Sequence, residues 1–163
     1  MEREEEKVEI EKKFLVKAVP KQLESFDTSV IEQGYLCAEP VIRIRRLDEQ
    51  YILTYKSRAG VKRVEDVCVN REEELPLTRE AYEHLKPKCD GCIIEKERHR
   101  IGYEGYTIEL DVFHGKYEGL VIAEVEFATI EDARDFKEPE WFGENVSGDY
   151  HYANAFLATG RRI

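Results

Sequence analysis

Apolar and polar residues alternate through much of this chain, beginning near its start. Val8, Ile10 and Phe14 fall on one side of a period-2 strand, while Glu9, Glu11 and Lys13 fall together on the other. The same test predicts strands at about 7–16, 30–38, 41–47, 50–58, 61–69, 93–103, 106–114 and 119–128. Connections at Asp48-Glu49, Ala59-Gly60, Glu104-Gly105 and Gly115 to Gly119 are short and turn-like, which implies antiparallel pairing of neighbours. Helical segments interrupt the strands at about 20–25 after Pro20 and at 78–86 with Thr78 as N-cap. Two more are predicted at 130–138, where Thr129-x-x-Asp132 resembles a capping box, and from Asp149 or Tyr150 to about Ala158. No repeat and no Pro/Gly/Ser-rich linker divides the 163 residues, so one domain over 1–163 is expected, with the charged residues 1–6 frayed.

The polar side of these strands is almost entirely ionised. Arg43 and Arg45 lie opposite Ile42 and Ile44; Thr54 shares a face with Lys56; Arg63 and Glu65 lie opposite Val64. Lys96, Arg98 and Arg100 share a face, although Glu95, Glu97 and His99 make that strand polar on both sides. Glu109 and Asp111 alternate with Ile108, Leu110 and Val112, and Glu124 and Glu126 alternate with Val125 and Phe127. An open sheet with one wet face would carry a loose mixture including Ser, Thr and Gln. Here basic and acidic faces are segregated by strand. Eight strands closed into a barrel would leave no exposed edge and turn these charges into a lumen, with outward apolar faces covered by helices. The predicted class is α+β, mainly β: a closed eight-stranded antiparallel barrel with a charged lumen and flanking helices. An acidic wall facing a basic wall suits a metal–polyphosphate, since carboxylates take hard cations while Arg and Lys take phosphoryl oxygens.

The overall balance narrows the partners. Lys and Arg number 25 against 35 Asp and Glu, a formal net charge of −10, which argues against nucleic acid or an anionic membrane. An anionic substrate must meet a local positive patch or arrive with a cation. No run approaches the roughly 20 apolar residues of a membrane span, and the charged N-terminus is unlike a signal peptide, so a cytoplasmic protein is expected. Cys89-x-x-Cys92 is the one close cysteine pair and lacks a second pair at zinc-ligand spacing; it reads as a turn entering a strand with reduced thiols. There is no GxxxxGK[ST] phosphate loop.

The motifs together resemble a known family. Glu9-x-Glu11-x-Lys13 looks like the ExExK signature of the CYTH superfamily, the triphosphate tunnel metalloenzymes. It is followed in order by Gln33-Gly34-Tyr35-Leu36, Arg43-x-Arg45, Thr54-x-Lys56, Lys96-x-Arg98, Glu109-x-Asp111-x-Phe113, Glu124-x-Glu126 and Pro139-Glu140-Trp141-Phe142-Gly143. The resemblance runs from about residue 7 to the C-terminus, Asn154 included, and is greatest to the small bacterial inorganic triphosphatases. Two departures stand out: Val67 takes a place where the family often has an acid, and Glu144-Asn145-Val146-Ser147 replaces the usual Glu-Val-Thr.

The resemblance implies an eight-stranded tunnel and divalent-metal-dependent hydrolysis of tripolyphosphate, in some members also of nucleoside triphosphates, by in-line attack of water. It implies that Lys13, Arg43, Arg45, Lys56, Arg63, Lys96 and Arg98 bind substrate. Glu9, Glu11, Glu65, Glu124 and Glu126 would hold Mg2+ or Mn2+. Lys13, Glu109 and Asp111 are the catalytic candidates, the two acids as water-orienting or second-site groups. Tyr35 reads as a packed strand aromatic, with a basic contact at a tunnel mouth as the alternative, and Trp141 as a packing residue. A class IV adenylate cyclase, a thiamine triphosphatase and a non-catalytic polyphosphate-binding module are the competing functions. The expected partner is a small-molecule triphosphate, not nucleic acid or membrane, for a monomer or homodimer.

Overall fold

Alternating strands that expose charge on one side and apolar residues on the other have two surfaces to satisfy, and here the sheet does so by closing on itself. The structure, a computed structural model, describes residues 7–161 and 163; the predicted fraying of residues 1–6 lies outside the described residues. In chain order the strands are β1 (Val8–Val16), β2 (Asp27–Ala38), β3 (Val41–Leu47), β4 (Gln50–Ser57), β5 (Cys68–Pro76), β6 (Asp90–Tyr103), β7 (Tyr106–Phe113), β8 (Val121–Phe127) and β9 (Phe142–Asn145). They lie in the order β5-β4-β3-β2-β6-β7-β8-β1, and antiparallel pairing of β1 with β5 completes the eight-stranded barrel. The short β9 adds to the far end of β1.

One strand differs from the sequence expectation. Instead of 61–69, the fifth strand is Cys68–Pro76, and 58–67 is a loop holding one isolated bridge, Val64 to Val67. Asp66 sits at φ 59, which ends any extended run there. The true strand hides because both faces are charged: Glu72 and Glu74 point one way, Arg71 and Glu73 the other. The unforeseen β9 has only four residues.

Helices are short and flank the barrel. In α1 (Arg79–Leu85) the Thr78 side chain accepts from Ala81 N, and α2 (Ile130–Asp135) is capped in the same way by Thr129 accepting from Asp132 N. The segment near 20–25 is only a 3-10 turn at Leu23–Ser25, and the last helix reduces to a 3-10 turn at Tyr150–Tyr152 followed by α3 (Asn154–Leu157).

Two apolar clusters hold the fold. Ile10, Phe14, Ile108, Leu110, Ala123, Val125 and Phe127 form the outer face of β1, β8 and β7, covered by Ala133 of α2 and by Phe136 and Phe142. Phe14 stacks on Phe142 with centroids 4.7 Å apart, and Trp141 packs edge-on against Phe142, a packing role as expected. The second cluster has the opposite parity. Tyr35, Ile94, Phe113 and Ile122 share their strand faces with Gln33, Lys96, Asp111 and Glu124, so they point into the barrel, where Ala155, Leu157 and Ala158 pack on them. The C-terminal segment therefore plugs one end of the lumen. It is fastened there by Cys92 N donating to Ala158 O (2.7 Å) and Tyr117 Oη donating to Leu157 O (2.6 Å). Gly91 (φ +65) permits this approach, because a Cβ there would overlap the carbonyl of Ala158.

Candidate active site in the barrel lumen

Strand register decides which charges meet. On β1 and β8, Glu11 pairs with Glu126 and Lys13 with Glu124; on β7 and β8, Glu109 pairs with Glu124. Three neighbouring strands thus carry Glu9, Glu11, Glu124, Glu126 and Glu109 on one continuous acidic wall. The basic residues come from β3 (Arg43, Arg45), β4 (Lys56) and β6 (Lys96, Arg98), with Gln33 of β2 between them. At the end opposite the plug, a cavity of about 390 Å3 is bordered by Tyr106, Thr107, Glu109 and Glu126. Two predicted residues are not part of this lining. Arg63 and Glu65 are exposed in the 58–67 loop, because the strand that would have turned them inward is displaced to Cys68–Pro76.

The walls are cross-linked by ion pairs. Arg98 Nε and Nη2 donate to the two oxygens of Asp111 (2.7 and 2.8 Å), Nη1 to Glu109 Oε2 (2.6 Å), and Nη2 also reaches Glu124 (3.4 Å). Lys96 Nζ donates to Asp111 Oδ2 (2.6 Å) and Asn154 Oδ1 (3.2 Å), and lies 5.3 Å from the Phe113 ring centre. Lys13 sits between Glu11 and Glu124 (3.8 and 3.6 Å), and Lys56 between Glu9 and Glu72 (2.7 and 3.3 Å). Arg43 and Arg45 differ: among the described residues neither meets a carboxylate. Arg45 Nε donates to Gln33 Oε1 (2.9 Å) and Arg43 Nη2 to Thr54 Oγ1 (3.1 Å), while the buried Nε of Arg43 has no partner among the described residues.

Each wall holds a surplus of its own sign. Burial, reinforced by a hydrogen bond to Glu72, raises the pKa of Glu9. Burial and the neighbouring Glu9 raise that of Glu11; burial and then Glu9, Glu109 and Glu11 raise that of Glu126. On the other side, burial with Arg43 and Arg98 nearby lowers Arg45 to about 10. Burial outweighs Asp111 and lowers Lys96 to about 8. Between the walls the pairs are firmly charged. Burial opposes ionisation of Asp111, but Arg98 and Lys96 win and hold it below the usual range; Lys13 and Arg98 do the same for Glu124, and Glu124 and Glu11 raise Lys13 despite its burial.

A divalent cation fits the acidic surplus by its donor chemistry, since Glu9, Glu11 and Glu126 offer hard carboxylate oxygens whose mutual repulsion a cation relieves. Among the described residues no three acidic, His or Cys side chains already converge as a ligand cluster, because Glu124 and Glu9 are turned toward lysine and arginine.

Some lining residues carried no predicted role. Glu72 and Asn70 were hidden by the misplaced fifth strand, although their parity with Cys68 marks them as inward once β5 is placed. Gln33 and Thr54 stand in the motifs without an assigned role, and Asn154 only as a match to the family pattern. Tyr35 is a packed aromatic, 4% exposed at the plugged end, with its hydroxyl accepting from Gln33 Nε2 (3.3 Å).

Comparison with known proteins agrees with this geometry. The family model described as the CYTH domain matches residues 7–155. The chain is 38% identical over 153 residues to the inorganic triphosphatase of Acetivibrio thermocellus, covering 91% of this chain and 92% of the relative. It is 35% identical over 154 residues to the inorganic triphosphatase of Nitrosomonas europaea, covering 92% and 96%. The crystal structure of the inorganic triphosphatase NE1496 superposes with a TM-score of 0.68 at 33% identity, covering 95% of this chain and 97% of that one.

Proposed function

The chain belongs to the CYTH domain family, and on that premise we propose that this one domain hydrolyses tripolyphosphate within its charged lumen with the help of Mg2+ or Mn2+. It is a triphosphatase, a hydrolase of phosphoanhydride bonds, acting on a small-molecule triphosphate. The observation that carries the reading is a pair of arginines, buried Arg43 and half-buried Arg45, that meet no carboxylate among the described residues and stand opposite an over-acidic wall. A linear triphosphate with a divalent cation supplies what each wall lacks.

The contacts support a division of roles. Arg43 and Arg45 meet the phosphoryl oxygens first, since neither must leave a counter-ion, and Arg forks suit bidentate phosphate contacts. Lys56, Lys96 and Arg98 add charge from the adjoining strands, and Lys13 reaches the acidic side. Glu9, Glu11 and Glu126, with Glu124, would hold the cation, which supplies charge neutralisation of the phosphoryl groups and activation of water. Glu109 takes the proton of the attacking water: burial and then the neighbouring acids raise its proton affinity, although Arg98 opposes them. Asp111 has both oxygens committed to Lys96 and Arg98, so it holds these cations in place and does not handle water. Arg63 and Glu65, on the outer loop, are left without a role.

Among the described residues no helix is long and apolar enough to cross a membrane. We place the enzyme in the cytoplasm, as monomer or homodimer. Phosphate release from tripolyphosphate, ATP and thiamine triphosphate, with each metal and with EDTA, tests the reading. Metal-dependent release from tripolyphosphate at least as fast as from ATP is the expected result. Cyclic AMP from ATP with tripolyphosphate acting only as an inhibitor would replace it with the cyclase.

A further inference from the structure

We propose that Asn154 is a positioning residue: it fixes the ammonium of Lys96, so that the C-terminal plug sets the depth at which the innermost phosphoryl group of the substrate seats. The inference rests on the triphosphatase reading above.

A lysine ammonium has three N–H donors. Asp111 Oδ2 takes one at 2.6 Å and Asn154 Oδ1 a second at 3.2 Å, while the face of Phe113 covers another side. One donor remains for an anion. Lys96 is 1% exposed, so each N–H without an acceptor is costly, and an apolar residue in place of Asn154 would add a second to the one kept for the anion. A carboxylate would satisfy the geometry but give Lys96 a second full counter-charge that competes with phosphate. An amide orients the ammonium without neutralising it.

The amide itself is firmly carried. Asn154 is 9% exposed at the start of α3, whose next residues, Ala155 and Leu157, pack on Tyr35, Ile94, Phe113 and Ile122 inside the barrel. The Cys92 and Tyr117 bonds to the carbonyls of Ala158 and Leu157 lock that turn against β6 and the loop before β8. Asn154 thus couples a segment distant in sequence to the floor of the site.

The test compares Asn154→Leu with Asn154→Asp under Mg2+ and tripolyphosphate, and adds a thermal double-mutant cycle with Lys96→Met. Asn154→Leu should lower kcat by about tenfold or more, since small misplacement of a catalytic cation is felt in the transition state. Asn154→Asp, which keeps the acceptor, should keep kcat within about threefold and raise KM, a split that lost packing does not produce. In the cycle, the melting-temperature loss of Asn154→Leu should shrink markedly when Lys96 is already Met. A Leu variant within about twofold of wild type, or equal losses in both variants, overturns the proposal. So do additive thermal losses, whatever the substrate proves to be. Coupled thermal losses in a protein that releases no phosphate would uphold the Asn154–Lys96 link and reject the triphosphatase reading.

Discussion

Replacing Asp111 by Asn keeps the shape of the most buried acid in the lumen and removes its charge. Asp111 is 0% exposed and accepts from Lys96 Nζ, Arg98 Nε and Arg98 Nη2 at 2.6, 2.7 and 2.8 Å. An amide has one accepting end, and both neighbours only donate, so its NH2 must point at a cation. Breaking a buried ion pair by removing one partner costs about 3–5 kcal/mol. Glu109 and Glu124 still touch Arg98, which places the expected loss near the lower bound. For a domain of this size each kcal/mol moves the melting temperature by about 2–4 °C, so Asp111→Asn should melt about 6–12 °C lower. Tripolyphosphate should restore more stability to the variant than it adds to wild type, because the released ammonium and guanidinium are free to take the anion. Differential scanning fluorimetry with and without tripolyphosphate reads both effects. A loss under about 3 °C, or an equal gain from tripolyphosphate in both proteins, would refute the view that Asp111 holds the basic wall against its own repulsion.

Arg43→Met should leave the ligand-free protein as stable as wild type or more so, since it removes a buried cation with an unpartnered Nε, while abolishing most of the thermal shift given by tripolyphosphate; both are read by the same melting assay. Glu11→Gln relieves the repulsion from Glu9 and Glu124 and should not destabilise the apo fold, yet turnover should fall steeply and lose its dependence on added Mg2+ or Mn2+ in a metal titration. Burial lowers Lys96 to about 8 in the fold, whereas an unfolded lysine has its pKa at ~10.4. The folded state therefore binds fewer protons between these values, and this group makes stability rise with pH through that window. Lys96→Met should flatten the rise in urea melts, and in wild type KM for tripolyphosphate should climb above about pH 8 as the charge is lost.

The lumen was legible because strand parity is regular: Glu9, Glu11 and Lys13 share one parity and Val8, Ile10 and Phe14 the other, and an unbulged strand puts the three charges on one face. Even the pairing of Arg98 with Asp111 can be counted from the turn. Glu104 and Gly105 both adopt positive φ, as a two-residue hairpin requires, which sets Tyr103 opposite Tyr106 and Arg98 opposite Asp111. Where parity carried no contrast the sequence misled. Arg71 to Glu74 are charged on both faces, so β5 went unrecognised, and Arg63 and Glu65 took its place in the expected site. The motifs give Arg43 and Lys96 the same role, but Arg43 meets no carboxylate among the described residues and Lys96 shares Asp111 with Arg98. That difference depends on which strand is adjacent and on what the plug brings in, neither of which follows from local alternation.

The plugged end has a consequence for the order of events in turnover. On the proposed reading, a chain of three phosphates entering past Glu109 and Glu126 would have one terminus deepest, beside Lys96 and Tyr35, with Leu157 and Ala158 packed behind it. After cleavage the inner fragment lies behind the outer one and must wait for it to depart. Release would then be sequential, outer fragment first, and product returning to the outer position would hold the inner fragment in place.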